Sequence, residues 1–384
     1  MSSENARHTD RAEYMFVDTQ EAFESMLADL ESHPIIAVDT EANNMFAYRE
    51  NVTLIQFSTP NQDYILDPQS NVPIERLGPL FANPEIEKVF HAAEYDLIGL
   101  RRDFGFEVHH IFDTMHASRL LGKKRVGLAA LLEEYFQVHL DKQYQRADWG
   151  KRPLPPEQLA YARLDTHYLI PLRHRLYEEL VARDLWDLAQ EDFQRLEHPP
   201  EPDRSFDPNG FWRLPDVHDL SPQALSVVRA LYLWREEEAR RRNVPPYKVL
   251  HNRELVYLAR RMPRTMRDLG RMRGLKRLVD TEQGRQILRV IQEARRERPP
   301  SPPPLPPRAP YAYQRRMERL REWRRDTAQR LGVDSDIVLP RPAMERIAEA
   351  NPQTQEELAA LGVLGPARLR RYGPAIVAVL RRGT

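Results

Sequence analysis

Apolar residues follow two rhythms along this chain, and the change between them marks its organisation. In the first third they gather in short β-branched runs: Ile35-Ile-Ala-Val-Asp39, Val52-Thr-Leu-Ile-Gln-Phe57, Asp63-Tyr-Ile-Leu-Asp67 and Glu87-Lys-Val-Phe90. Runs of this length, bounded by polar turn residues, predict strands, and Asn61-Gln62 predicts a hairpin turn between the second and third. A helix is expected over about 94–102. From Gly127 the apolar positions change to helical spacing, with Leu128, Leu131, Leu132, Tyr135 and Phe136 on one face. Strands interleaved with helices predict an α/β domain on a mixed sheet.

Proline then divides the chain. The stretches His198-Pro-Pro-Glu-Pro-Asp203 and Pro299-Pro-Ser-Pro-Pro-Pro-Leu-Pro-Pro307 cannot continue a helix or a central strand, because proline fixes φ and lacks the backbone donor. The expected domains are therefore 1–198, 210–297 and 310–384, with 298–309 as an extended polyproline spacer. The last two are copies of each other. A shift of 89 residues places Trp234 on Trp323, Val249-Leu250 on Val338-Leu339, Ala259 on Ala348 and Pro263 on Pro352. A two-residue insertion then brings Gly274 onto Gly365 and Leu278 onto Leu369. A repeat of this period with only two copies predicts tandem small helical domains rather than a solenoid.

Composition narrows the class. The 384 residues have a mean hydropathy of −0.65, and no apolar run approaches the length of a membrane span. The polar amino-terminal residues lack the apolar core of a secretion signal. The complete absence of cysteine excludes disulfides and thiolate metal sites, and it fits a cytoplasmic protein. The net charge of zero hides an asymmetry of −14 over residues 1–200 against +14 over 201–384. Such opposed halves suggest an acidic catalytic part joined to a basic part that holds a polyanion, although solvated charged helices give the same count.

Three acidic motifs carry the candidate chemistry. Asp39-x-Glu41 lies at the end of a strand, where alternation sends both carboxylates to one face and so toward one hard cation. Acidic residues facing solvent at a strand end would look the same. His91-Ala-Ala-Glu-Tyr-Asp96 opens a helix, where Asp96 is also favourable to the helix dipole. In that motif His91 reads as a structural hydrogen-bonding residue and Glu94 as exposed. Tyr161-Ala-Arg-Leu-Asp165 sits in a helix starting near Pro155-Pro156, with phenol and carboxylate on one face; taken alone it reads better as an amphipathic helix whose Tyr161 packs on the core while Asp165 faces water.

In this order the motifs resemble the DEDD superfamily of 3′→5′ exonucleases, and the tyrosine resembles its DEDDy branch. His139-Leu-Asp-Lys-Gln-Tyr-Gln-Arg-Ala-Asp-Trp149, Arg152-Pro-Leu154 and Gln158-Leu-Ala-Tyr161 resemble ribonuclease D, and the tandem copies resemble HRDC domains. The resemblance implies a ribonuclease H-like exonuclease domain followed by two small all-α domains. It implies metal ligation by Asp39, Glu41, Asp96 and Asp165, with two divalent ions, Mg²⁺ or Mn²⁺. Asp39 would bridge the ions, Glu41 and Asp165 would hold the one that activates water, and Asp96 would support the other partly through solvent. Tyr161 would orient the water, since a phenol of pKa about 10 is a poor base at neutral pH. The implied substrate is RNA with a free 3′ end, tRNA precursors included, and the implied product is a 5′-nucleoside monophosphate. Arg240-Arg-Arg242, Arg315-Arg316 and Arg324-Arg325 are candidate phosphate contacts or else solvated helix surface, and Asp148, Trp149 and Arg152 are candidate channel residues, with Trp149 equally a core anchor. A DNA exonuclease of proofreading or Werner type and a non-catalytic nucleic-acid scaffold are the competing readings.

Overall fold

A computed structural model describes residues 14–382 except 142, 200–204, 305–306 and 308. The amino-terminal segment and parts of both proline-rich stretches, about which sequence expectations were drawn, lie outside the described residues. The chain forms two compact units. One combines the described parts of Met1–Ala42, Val52–Pro202 and Arg308–Thr384; the other combines Asn43–Asn51 with Asp203–Pro307.

The first unit is built on a six-stranded sheet of β1 (Tyr14–Val17), β2 (Ile35–Ala42), β3 (Val52–Ser58), β4 (Asp63–Leu66), β5 (Glu87–Phe90) and β6 (Ile111–Asp113). Its order is β1-β4-β3-β2-β5-β6. The pairs of β3 with β2 and β4 are antiparallel and the other three are parallel, so the sheet is mixed, as the strand pattern predicts. The elements that go beyond the sequence expectation include β1, β6 and the helix α1 (Gln20–Ser32). Strand β6, only three residues long, is too short to show a period. In α1, Phe23, Met26, Leu27 and Leu30 are buried at helical spacing, and the Thr19 hydroxyl caps the helix by accepting from Ala22 N.

Alternation along β2 sorts its residues between two cores. Ile36 and Val38 join the cluster with α1, α2 (Leu77–Ala82) and α3 (Glu94–Phe104). Ala37 faces the opposite way, toward α4 (Thr114–Leu120), α5 (Leu128–Phe136), α7 (Leu169–Ala182) and α8 (Trp186–Leu196). Asp39 and Glu41 share the parity of Ala37. They therefore extend from that second core toward α6 (Pro156–His167), the helix that carries Tyr161 and Asp165.

The repeat is legible element by element. The first copy has α9 (Pro222–Arg242), α10 (Pro246–Val249), α11 (Asn252–Arg261), α12 (Met266–Gly270) and α13 (Glu282–Ala294). The second has α14 (Tyr311–Leu331), α15 (Ser335–Val338), α16 (Arg341–Ala350), α17 (Gln355–Ala360) and α18 (Pro366–Arg381). The first four helices of each copy begin 89 residues apart. The copies then diverge: a 3-10 turn at Lys276–Leu278 precedes α13, whereas α18 runs unbroken from Pro366. Each copy has its own apolar core, including Leu231, Leu255 and Ile287 in one and Leu320, Ile347 and Ile376 in the other.

The second copy is fastened to the sheet domain by charge. The Glu191 carboxylate on α8 accepts from Gly365 N and Arg368 N, both at 3.0 Å, and so caps α18 from outside its own module. A Cβ on residue 365 would lie 2.3 Å from the Glu191 carboxyl carbon, so only glycine leaves room for this cap. Arg368 is 2% exposed; it donates to Asp192 at 2.8 Å, to Ile337 O at 3.0 Å and to Glu191 at 3.2 Å. Around this buried pair, Arg119 bonds Asp334 and Asp336, and Arg370 bonds Asp187.

Arg368→Met should leave the buried Asp192 with only the half-exposed Arg195, 2.9 Å away, as its cationic partner, at a cost toward the low end of roughly 3–5 kcal/mol. Denaturant unfolding should then show an early transition, with the first proteolytic cuts entering 309–382. Adding Asp192→Asn should restore part of the loss. A single unshifted transition for Arg368→Met would show that the pair does not hold the module in place.

Candidate active site

Three carboxylates meet where β2 passes under α6. Oxygens of Asp39, Glu41 and Asp165 all lie within 4.8 Å of one another, and each side chain is half-buried. Tyr161, one helical turn before Asp165, lines the same cavity, which has a volume of about 750 Å³ and also touches His91, Arg125, His139 and Gln145. Among the described residues, none of the three carboxylates pairs with a lysine or an arginine.

Asp96 is placed beside this cluster rather than within it. It lies in the first turn of α3, buried, and its carboxylate accepts from both Thr40 N and the Thr40 hydroxyl. The residue between Asp39 and Glu41 is thus tied to the fourth acid. The start of α3 is itself fixed: Asp113 accepts from Ala93 N at 2.7 Å, next to Ala92 in the left-handed region at φ 63°. A left-handed alanine carries strain that such a bond offsets. His91 bonds the Thr114 hydroxyl through Nδ1 at 2.9 Å, and Glu94 is exposed.

Electrostatics follow from this crowding. Burial pushes Asp39 well above the usual carboxylate range, and the charges of Asp96, Asp165 and Glu41 push it further. Glu41 is raised by burial and then by Asp165 and Asp96. Asp165 rises to about 7 through burial and the Asp96 charge. Asp96 also rises to about 7, again through burial, although its Thr40 bonds oppose the shift. The Tyr161 phenol is pushed up by burial and by Asp165, Glu41 and Asp39, against a hydrogen bond from Gln145. It remains a neutral donor at any physiological pH.

Helix α6 is locked to the sheet beneath the site. Asp63 on β4 accepts from the Ser58 hydroxyl at 2.6 Å, pairs with His167 at 2.8 Å and lies 3.3 Å from Arg163. Ser58 also bonds Thr166 at 2.7 Å. On the other side, Trp149 is 2% exposed and stacks on the Tyr161 ring at 6.3 Å. Trp149 is therefore a core anchor, not a channel residue. Arg152 is spent likewise, paired with Asp67 and donating to Thr53 O and Trp149 O. Asp148 accepts from Gly150 N and pairs with Lys151 at 3.8 Å. Sequence reasoning quoted Gln145 within a motif without giving it a role; its place beside Tyr161 emerges only in three dimensions.

Comparison with known proteins agrees with this geometry. Residues 14–181 match the 3′-5′ exonuclease family model, and 224–291 and 314–380 each match the HRDC domain. The chain is 30% identical over 282 residues to ribonuclease D of Acidiphilium cryptum, covering 73% of this chain and 71% of that one. This chain belongs to the ribonuclease D family. It is also 36% identical over 266 residues to the exosome complex exonuclease RRP6 of Saccharomyces cerevisiae, covering 65% of this chain and 36% of the yeast protein. The chain thus spans about a third of the length of the RRP6-type relatives it matches. The crystal structure of the catalytic core of RRP6 from Trypanosoma brucei superposes with a TM-score of 0.65 at 30% identity, covering 73% of this chain and 79% of that one. Membership of the ribonuclease D family and the observed sheet agree on a ribonuclease H-like exonuclease fold followed by helical HRDC domains. No described helix is long and apolar enough to cross a membrane.

Acids whose folded pKa lies above the unfolded value bind protons more tightly when folded. Without cations, the protein should therefore gain stability as pH falls below about 7 and lose it as pH rises through that value. Asp39→Asn should relieve part of the repulsion, by about 1.4 kcal/mol for each pKa unit removed. Thermal melts in chelator should show a higher midpoint for the variant at neutral pH, and Mn²⁺ should raise the midpoint only of the parent. A variant that melts with the parent under both conditions would mean that the cluster is not under electrostatic strain.

Proposed function

We propose that this chain is a metal-dependent 3′→5′ exoribonuclease that hydrolyses RNA phosphodiesters from a free 3′ end and releases 5′-nucleoside monophosphates. The observation that carries the reading is the convergence of Asp39, Glu41 and Asp165 on one point beneath Tyr161. Three acids raised by burial and mutual repulsion, with no basic partner among the described residues, are a donor set suited to hard divalent cations such as Mg²⁺ or Mn²⁺.

Asp39, Glu41 and Asp165 would hold the cations, with Asp96 as the fourth ligand. A bound pair of divalent ions supplies positive charge to the attacking and leaving oxygens of an in-line displacement and makes water acidic enough to attack. The protein's own groups do the positioning. Tyr161 keeps its proton and donates it in a hydrogen bond that orients the attacking water. Gln145 fixes the phenol, and the Thr40–Asp96 bonds fix the strand that carries Asp39 and Glu41. RNA is favoured over DNA because the relatives of comparable identity are ribonuclease D and RRP6 proteins. Precursors of tRNA with 3′ extensions, met in the cytoplasm, are the expected natural substrates.

Matched RNA and DNA oligonucleotides digested with Mg²⁺ or Mn²⁺, with products resolved by mass, test the reading. RNA should shorten from the 3′ end one nucleotide at a time, and EDTA should stop it. Asp39→Asn should lower the rate by roughly a thousandfold, and Tyr161→Phe by about a hundredfold through misplacement of the water. Undiminished release by purified Asp39→Asn would remove the proposed site, and preferential loss of DNA would transfer the activity to the competing class.

A further inference from the structure

The two helical copies share a backbone plan but have opposite surfaces at one corner. In the first copy, residues 260–277 span the end of α11, all of α12 and the turn after it; they hold eight basic residues and one acid. All eight basic residues are exposed. The single acid, Asp268, is consumed at the helix start, where its carboxylate accepts from Arg264 N and Thr265 N. Arg277 pairs with Glu254, and Arg261 lies over the Tyr257 ring. Arg260, Arg264, Arg267, Arg271, Arg273 and Lys276 make no ion pair or side-chain hydrogen bond among the described residues. The corresponding residues of the second copy, 349–368, hold three acids and one basic residue, the buried Arg368.

This pairing is an internal control. Arginines at the end of a helix usually favour its dipole, and that alone would explain Arg260 and Arg261. The second copy builds the same helix end with Glu349 and Ala350 instead. The fold therefore does not need the basic corner. Next to it, Arg264, Arg295 and Arg296 border a groove floored by Pro263 and Ile291 and edged by Gln292. Unpaired guanidiniums in that number, beside an apolar floor, fit a chain of phosphates with attached bases.

The arginines singled out from sequence each have a contact within the protein, the slightest being exposed Arg315 at 4.0 Å from Glu318. Arg241 and Arg242 pair with Glu238, and Arg240 lies on the Tyr48 ring. Arg316 donates to Ala348 O, Arg324 donates to Ser335 O, and Arg325 lies near Glu322 and Asp326. The second copy also directs Arg368 and Arg370 to acids of α8, as its attachment to the sheet domain.

We infer that the tandem copies divide their labour: the basic corner of the first, around Arg264, Arg267 and Arg271, is the docking face for the RNA phosphate backbone, and the second serves as a structural buttress without such a face. The identity of the polyanion rests on the exonuclease reading; the division between the copies does not.

The test compares two full-length triple variants that lose the same charge. Arg264→Ala/Arg267→Ala/Arg271→Ala changes the first copy. Arg315→Ala/Arg325→Ala/Arg346→Ala changes exposed arginines of the second. Binding of a labelled single-stranded RNA is followed by anisotropy in EDTA over a series of salt concentrations, after thermal melts have established that both variants fold. The first variant should weaken binding roughly tenfold or more and reduce the slope of log K against log salt by about two, the loss expected from three phosphate contacts on a single strand. The second should stay within about twofold of the parent. Equal losses in both variants, or no loss in the first, would overturn the division. So would a larger effect of the first variant on retention by anionic phospholipid vesicles than on RNA. Normal nucleotide release with unchanged RNA affinity would sink this docking face alone. RNA affinity lost as expected in a parent that releases no nucleotide would instead sink the exonuclease reading.

Discussion

Mutual repulsion among carboxylates is the constraint on which the rest of this structure depends. Asp39, Glu41 and Asp165 are held within 4.8 Å of one another, with Asp96 close enough to raise the pKa of all three. Left to itself such a cluster would spread apart, so each acid is mounted on an element that cannot move. Strand β2 lies inside the sheet, paired on both edges, and Thr40 is bonded to Asp96. Helix α6 is held by Asp63, Ser58, Thr166 and His167 on one side and by the Trp149 stack on the other. The stability forgone at the acids is the usual cost of a site that waits for a cation.

This arrangement explains what could be read in advance. A carboxylate pair two residues apart on a strand and a phenol–carboxylate pair four apart on a helix are set by local geometry, so the sequence alone specifies which side chains share a face. Their meeting is a tertiary fact. Gln145 and Asp63 act on Tyr161 and α6 across long sequence separations, and neither has a local signature. Asp96 was expected to act partly through solvent, and its carboxylate turns to Thr40. The edge strands β1 and β6 fell outside the sequence expectation, β6 being only three residues long, whereas the proline breaks and the 89-residue repeat are long-range signals that survive without structure.

The charge asymmetry between the halves was also legible, but it was an average over unlike surfaces. Part of the basic charge in the second half is spent on pairs within the protein, with Glu238 and Glu254 in the first copy and with Asp192 and Asp187 at the second. Buried pairs of this kind fix orientation more than they stabilise, since desolvation offsets most of their attraction. Arg368, almost wholly buried between Asp192, Glu191 and Ile337 O, sets one docking geometry for the second copy. An apolar patch of the same size would tolerate many.

Duplication shows which positions the helical fold requires. Both copies retain the apolar face that buries Leu255 or Met344 and Ala259 or Ala348, and both cap the short fourth helix with a threonine, Thr265 or Thr354. Outside those positions the surfaces are free to diverge, and they have done so in opposite directions. One copy acquired acids at the corner and a glycine at residue 365 that admits Glu191 from α8. The other has a corner of exposed arginines, most of them without an ion pair among the described residues. A solvated helix surface with no further role would be expected to mix its signs, because like charges in series repel. A corner with eight basic residues and a single acid already engaged in capping gathers like charge on an exposed surface, where solvent screens it, whereas the carboxylates gather theirs at a buried site. Each would be balanced by the opposite charge, a cation at the acids and a phosphate chain at the arginines.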